Sequence, residues 1–372
     1  GGKEVKKFEK LACQTFKVKY AISVNSWTSG LTVAMGAVGI EPGDEVICSP
    51  WTMSACAMSI LHWNAIPVFV DIDPLTFNLD LNKLKKAISK KTKAIIAVDI
   101  FGQSERVDEI KKIIKNKKIK IISDAAQAPY AIYKNKFAGT FGDIGGFSLN
   151  HHKHINTGEG GIIVTNSKNL AERARHIRNH AESTISKNST NGQLVNMIGH
   201  NFRLGEIESA IGYQQLKKLK KIVLFRQRLA KILNKGLNNL EGLTLPVVRS
   251  RSTHVYYVYP LLLSSKIAKH RSKIISLLKK EKVIGLMGGY TNLYNLPIFR
   301  KKIAYGTKGF PWKHFNSTVS YSKKNFKITE DLHNNKFFGI LLCAYNFRED
   351  DMKFIVKKFI KVWKKIGLNV EK

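Results

Sequence analysis

Through the first 165 residues, short apolar runs rich in β-branched side chains alternate with stretches in which apolar positions recur every three or four residues. The runs are YAISVN (20–25), VICSP (46–50), IPVFVDI (66–72), AIIAVDIF (94–101), IKIISDAA (119–126), GGFSLN (145–150) and GGIIVTN (160–166). Several are apolar at consecutive positions, the pattern of strands buried on both faces. Helices are expected to start near Thr28 and near Thr52, and to occupy VDEIKKIIKN (107–116). Apolar strands separated by helices predict an α/β fold with a mainly parallel central sheet sandwiched by helices. From Leu204 to about Asn239 the pattern is helical almost throughout, too long for one compact lobe without a bend and suited to joining two. THVYYVYPLLL (253–263) then reads as a strand, and KIISLLKKEKV (273–283) and DMKFIVKKFIKVWKKI (351–366) as amphipathic helices. The expected organisation is a large α/β domain over 1–220 and a smaller C-terminal α+β domain over 221–372.

Composition narrows the function classes. No apolar run approaches the roughly 20 residues that a bilayer span requires. Cys13, Cys48, Cys56 and Cys343 are scattered and form no CxxC pair, which suits a reduced compartment, so a cytoplasmic protein is expected. The formal net charge of +35 raises the question of nucleic acid, whose phosphates attract lysine and arginine. Runs such as KLKKAISKKTK (83–93) recur along the whole chain, however, without interleaved aromatic stacking platforms. They read as solvated helix faces, and neither a nucleic-acid nor a membrane partner is expected.

In a parallel α/β sheet, ligands sit beyond the C-terminal ends of the strands, so the polar residues there carry the chemistry. NSWTSG (25–30) follows a strand and opens a helix. The Thr28 and Ser29 hydroxyls, with free helix N–H groups, form a candidate anion site, the plain alternative being an N-cap. Asp124 ends the run before SDAAQA, and a carboxylate there needs a partner unless it simply caps a helix. FSLNHHKHINTGEGG (147–161) holds Ser148 at another strand end, then Lys153 among His151, His152 and His154. Adjacent histidines converge poorly on one metal ion, and no nearby cysteine completes a set. A phosphate-cradling P-loop is excluded too, because the glycines follow the lysine and lead into a strand. Hydroxyls at a helix N-terminus, a buried carboxylate and a lysine are together what pyridoxal 5'-phosphate requires for its phosphate, its pyridinium nitrogen and its aldehyde.

The N-terminal half resembles the DegT-type nucleotide-sugar aminotransferases, of aspartate-aminotransferase fold (fold type I). The resemblance is carried by FEKLACQTFKVKYAISVNSWTSG, EPGDEVICSPWTMSA, AIPVFVDIDPLTFNLD, SDAAQA, GDIGGFSLN, KHINTGEGGIIVTN and GHNFRLGEIESA, in that order. It implies that Lys153 is the Schiff-base lysine and proton shuttle, and that Asp124 partners the pyridinium nitrogen. It further implies that Gln127 lies near the phenolic oxygen and that Thr28, Ser29 and Ser148 cup the phosphate. Met53 stands where an aromatic residue usually covers the cofactor ring, with Trp51 nearby, and Trp27 replaces a small residue beside the phosphate cup. Asn201 matches an asparagine that reaches the cofactor of the neighbouring subunit, so a homodimer with shared active sites is implied. The implied reaction moves an amino group, from glutamate, onto a keto group of a nucleotide-linked sugar for surface polysaccharide synthesis. Family members that act as keto-sugar dehydratases carry histidine in place of the lysine, and INTGEGG sets the register that puts Lys153, not His154, at that position.

Overall fold

The computed structural model describes residues 1–181 and 195–370. Helix α1 (Lys3–Phe16) leads into β1 (Tyr20–Val24), α2 (Trp27–Ala37), β2 (Glu45–Cys48), α3 (Ala55–His62) and β3 (Ile66–Phe69). Next come α4 (Leu81–Ala87), β4 (Thr92–Val98), α5 (Val107–Ile113) and β5 (Lys120–Asp124). A small hairpin, β6 (Ile132–Tyr133) and β7 (Lys136–Phe137), precedes β8 (Ile144–Ser148), β9 (Gly161–Thr165) and α6 (Lys168–Arg178). Seven of these strands form one sheet in the order β1-β9-β8-β5-β4-β2-β3. Within it β9 is antiparallel to β1 and β8, and the remaining neighbours are parallel.

Each strand of this sheet divides its residues between two cores, with the period of two that a pleat imposes. Val46 and Cys48, Ala94 and Ile96, Ile122 and Ile163 pack with α2, α3 and α6 on one face. Ile47, Ile95, Ala97 and Ile121 pack with α4 and α5 on the other. Toward the β1 edge that second face is covered by α1 and by the first half of α7 (Glu206–Leu237), against Ala21, Ile162 and Val164. The sheet is thus buried on both sides, as continuous apolar strands require.

Helix α7 runs unbroken for 32 residues, about 48 Å at 1.5 Å per residue. Leu216, Leu219 and Val223 belong to the core under the large sheet, whereas Leu229, Leu233 and Leu237 belong to a separate core. That second core lies under a four-stranded antiparallel sheet, β10 (Leu243–Thr244), β11 (Tyr259–Leu263), β12 (Leu286–Met287) and β13 (Phe337–Ile340), in the order β10-β11-β13-β12. Helices α8 (Arg271–Lys280) and α11 (Glu349–Lys365) pack on it through Ile274, Leu278, Met352, Ile355, Phe359 and Trp363. A division at residue 220 therefore falls inside one continuous helix. The C-terminal portion is also not a single packing unit. The stretch carrying the short helices α9 (Pro297–Arg300) and α10 (Lys327–Asp331) returns to the first core through Leu293, Tyr294, Phe299, Trp312, Tyr321 and Phe326.

The Gly145–Gly146 pair inside β8 has a steric reason. A Cβ on Gly146 would collide with the indole of Trp27 and with the Ile162 carbonyl, and one on Gly145 with the Gly139 carbonyl. Trp27 itself is 5% exposed, its ring lying also against Gly30. Gly146 lets the edge of the indole approach the strand that carries Ser148. Gly146→Ala is expected to lower unfolding free energy by about 3 kcal/mol, the upper part of the range for overpacking, measured by chemical denaturation.

Candidate active site

The C-terminal ends of β1, β4, β5 and β8 open into one cleft of about 310 Å³. Ser26, Trp27 and Thr28 reach it from the start of α2, Asp124 from the end of β5, and Ser148 from the end of β8. Lys153, from the loop between β8 and β9, enters the same space, together with Gln127 and Met53. Six sequence-predicted residues, Thr28, Met53, Asp124, Gln127, Ser148 and Lys153, thus share one cleft although they span more than a hundred positions of the chain.

Two predicted residues lie elsewhere. Ser29 does not line the cleft. Ser26 is the N-cap of α2, its Oγ accepting from the Ser29 N–H at 3.0 Å and lying 2.9 Å from the Ser29 hydroxyl. The cap thus engages Ser29 and leaves Ser26 and Thr28 toward the cleft, where the Trp27 and Thr28 N–H groups lack intrahelical partners by helix geometry. Asn201 is exposed and outside this chain's cleft. It bridges Asn179, and the next carbonyl, of Phe202, accepts from the Asn25 N–H at 2.9 Å. Asn201 therefore sits beside the end of β1 on the outer surface.

Asp124 is buried, yet its hydrogen-bond donors are neutral. The indole Nε1 of Trp27 donates to Oδ1 at 2.7 Å, the Ala126 N–H donates to the same oxygen at 3.1 Å, and the Cys56 thiol donates to Oδ2 at 3.1 Å. Trp27 thus serves the carboxylate, a role that sequence reasoning does not assign to it. Gln127 is fixed at both ends. Its Oε1 accepts from the Phe101 N–H at 2.8 Å and its Nε2 donates to the Tyr290 hydroxyl at 2.7 Å. Phe101 presents that N–H from a left-handed conformation, φ 58°, which costs a bulky residue of order 1–3 kcal/mol and persists because its surroundings impose it.

Lys153 holds its amine 4.3 Å from the centre of the Tyr257 ring. Desolvation pushes its pKa down to about 8, against the opposing pull of Cys343, Asp124 and Glu159. The neighbouring His152 also lines the cleft. Burial, then the charges of Lys153 and His151, lower its pKa to about 4, so it is neutral at physiological pH. His154 is buried outside the cleft, along the groove beside α7.

Tyr257 and Tyr290 form the far wall, and sequence reasoning singles out neither. Tyr257 is one of three tyrosines in a short apolar run, and nothing local separates it from Tyr256 or Tyr259. Trp51 is fully buried in a cluster with Phe77, Phe101 and Phe337, and its Nε1 donates to the Tyr290 carbonyl at 2.8 Å. It supports the wall from behind and does not face the cleft. Met53, 58% exposed, stands at the rim.

An amine with lowered pKa, a buried carboxylate, and hydroxyls beside a helix N-terminus form a donor set that fits pyridoxal phosphate's three functional groups. Comparison with known proteins points the same way. The model of the DegT/DnrJ/EryC1/StrS aminotransferase family matches residues 1–326. The spore coat polysaccharide biosynthesis protein SpsC of Bacillus subtilis is 34% identical over 333 residues, 88% of this chain and 84% of its own. A GDP-perosamine synthase of Caulobacter vibrioides is 36% identical over 275 residues, 74% of this chain and 73% of its own. The solved structure of Helicobacter pylori PseC, an aminotransferase involved in the biosynthesis of pseudoaminic acid, superposes with a TM-score of 0.81 at 28% identity, covering 98% of this chain and 92% of its own. The match extends from the first helix through the loops that build the cleft, and the chain belongs to the DegT/DnrJ/EryC1/StrS family of pyridoxal-phosphate-dependent sugar aminotransferases.

Proposed function

We propose that the protein transfers an amino group from L-glutamate to a keto carbon of a nucleotide-linked sugar, feeding surface polysaccharide synthesis. The observation that carries this reading is a desolvated lysine amine and a buried carboxylate in one cleft, Lys153 and Asp124. Relatives named for GDP-perosamine and for spore coat polysaccharide support a nucleotide-sugar acceptor.

Bound there, pyridoxal phosphate supplies an electron sink for the carbon that gains or loses the amino group. Thr28 and Ser148, with the N–H groups of α2, would hold the phosphate. Asp124 would keep a proton on the ring nitrogen, and Gln127, braced by Phe101 and Tyr290, would lie beside the phenolic oxygen. Lys153 would anchor the aldehyde, and its amine would be the base that takes the proton from the α-carbon of the amino donor and returns it at the carbon that carried the aldehyde. A pKa near 8 suits both directions near neutral pH. A histidine in this role would direct the chemistry to dehydration. His154 is the residue that a one-position slip would offer, and its burial outside the cleft supports amino transfer instead.

A second copy of the chain completes the cleft in this reading. Asn201 is exposed beside the end of β1, and Ile198 (67% exposed) and Ile207 (76% exposed) flank it in sequence. Apolar side chains left in water at such a place favour a protein partner. Light scattering is expected to give twice the chain mass.

The purified protein is expected to be yellow when loaded, and to release 2-oxoglutarate from glutamate without any sugar present. Lys153→Ala is expected to abolish both the absorbance band and this half-reaction. A colourless protein that takes up no added cofactor overturns the proposal.

The lowered pKa of Lys153 gives a second test. The neutral amine is the nucleophile, so its capture of pyridoxal phosphate rises with pH. The neutral fraction grows from about one tenth at pH 7 to about nine tenths at pH 9. Borohydride trapping of the covalent adduct, followed by mass spectrometry, is expected to show a capture rate that rises about tenfold over that window and then levels off. A lysine at the ordinary 10.5 would keep gaining beyond pH 10.

A further inference from the structure

The three donors on the Asp124 carboxylate are unequal. Oδ1 takes two N–H donors, from the Trp27 indole at 2.7 Å and the Ala126 backbone at 3.1 Å. Oδ2 takes the Cys56 thiol at 3.1 Å, and a thiol is a weak donor. Burial, then the facing carboxylate, push the Cys56 pKa well up, so the thiol stays protonated and donates to the carboxylate. One carboxylate oxygen is therefore firmly engaged and the other lightly held.

The Trp27 indole cannot readily turn away. Its ring is buried against Gly30 and Gly146, and the Trp27 backbone is fixed by the start of α2. We propose that Trp27 is a positioning residue for amino transfer, its indole N–H anchoring Oδ1 of Asp124 so that Oδ2 is presented to the ring nitrogen of pyridoxal phosphate. This rests on the reading of Asp124 as the partner of that nitrogen. Hydrogen bonds to a carboxylate favour its charged form. Without the indole donor the carboxylate is free to rotate, and Oδ2 is no longer held where it would keep a proton on the ring nitrogen. The ring then loses the positive charge that makes it an electron sink. Cys56 is a second, weaker hold on the same group.

Trp27→Phe keeps an aromatic ring against Gly146 and removes the N–H. Cys56→Ala removes the weaker donor. Each holoprotein is loaded with pyridoxal phosphate carrying ¹⁵N in the ring. The ring-nitrogen shift is read by NMR beside kcat and KM for the glutamate half-reaction. Wild type and Cys56→Ala are expected to hold a protonated ring nitrogen. Trp27→Phe is expected to move it toward the neutral pyridine value, with kcat reduced about 10- to 100-fold, as for loss of a hydrogen bond to a charged group, and KM little changed. A Trp27→Phe holoprotein that keeps a protonated ring nitrogen overturns the inference, even if its melting temperature falls. An unprotonated nitrogen in wild type overturns the reading of Asp124 and this inference with it. Failure of wild type to bind the cofactor overturns the proposed function. If Trp27→Phe does not fold, the ¹⁵N-indole spectrum of the wild type decides. The Trp27 signal, identified by its displacement in Asp124→Asn, is expected to move on cofactor loading, and a signal that stays in place overturns the inference.

Discussion

A carboxylate buried at the end of a central strand is the constraint around which this part of the molecule is arranged. Leaving water costs Asp124 several kcal/mol unless donors replace its hydration. The donors come from three separate segments: the start of α2, the first turn of α3, and the turn after β5. Bringing an indole to that point requires room under the sheet, and the room exists because β8 carries Gly145 and Gly146, opposite Val164 and Ile163 of β9. The same strand then ends in Ser148, which lines the cleft. One buried charge thus links the composition of two strands and a helix start.

Lys153 is governed by the opposite balance. It is a cation in a chain of net charge +35. The largest influence on its amine is nonetheless loss of water, and Asp124 and Glu159 partly offset that loss. The amine rests over the Tyr257 ring, which provides an electron-rich face without a competing proton acceptor. The result is an amine whose neutral fraction is already about one tenth at pH 7, far more than an ordinary lysine offers.

Much of this arrangement is legible in the sequence, for physical reasons. Strands buried on both faces announce themselves as continuous apolar runs, and the ends of such strands are where ligands bind, so Asp124, Ser148 and Lys153 stand out. Thr28 follows from the same rule. Ser29 does not reach the cleft because Ser26 takes its N–H and its hydroxyl, a choice of cap that adjacent serines leave undecided. Trp27 reads as an intruder beside a phosphate cup, because nothing local reveals that its ring passes beneath β8 to Asp124, 97 positions away. Trp51 lies near Met53 in sequence, yet its ring is drawn into the cluster with Phe77, Phe101 and Phe337. Tyr257 and Tyr290 come from the C-terminal portion, and contacts that distant leave no periodic signature.

Those tyrosines also bear on how the two lobes work together. A boundary drawn at residue 220 divides the chain into two separate bodies. The packing is more interlocked. Tyr257 and Val258 are buried in the core of the large sheet, and the stretch from Leu293 to Phe326 joins the same core. The Tyr290 carbonyl is held by Trp51 and its hydroxyl by Gln127, both from the N-terminal portion. Helix α7 adds a rigid strut with one half in each core. The wall opposite Asp124 and Lys153 is therefore continuous with the core that supports them. Its distance from Asp124 and Lys153 is set by close packing, which resists small displacements.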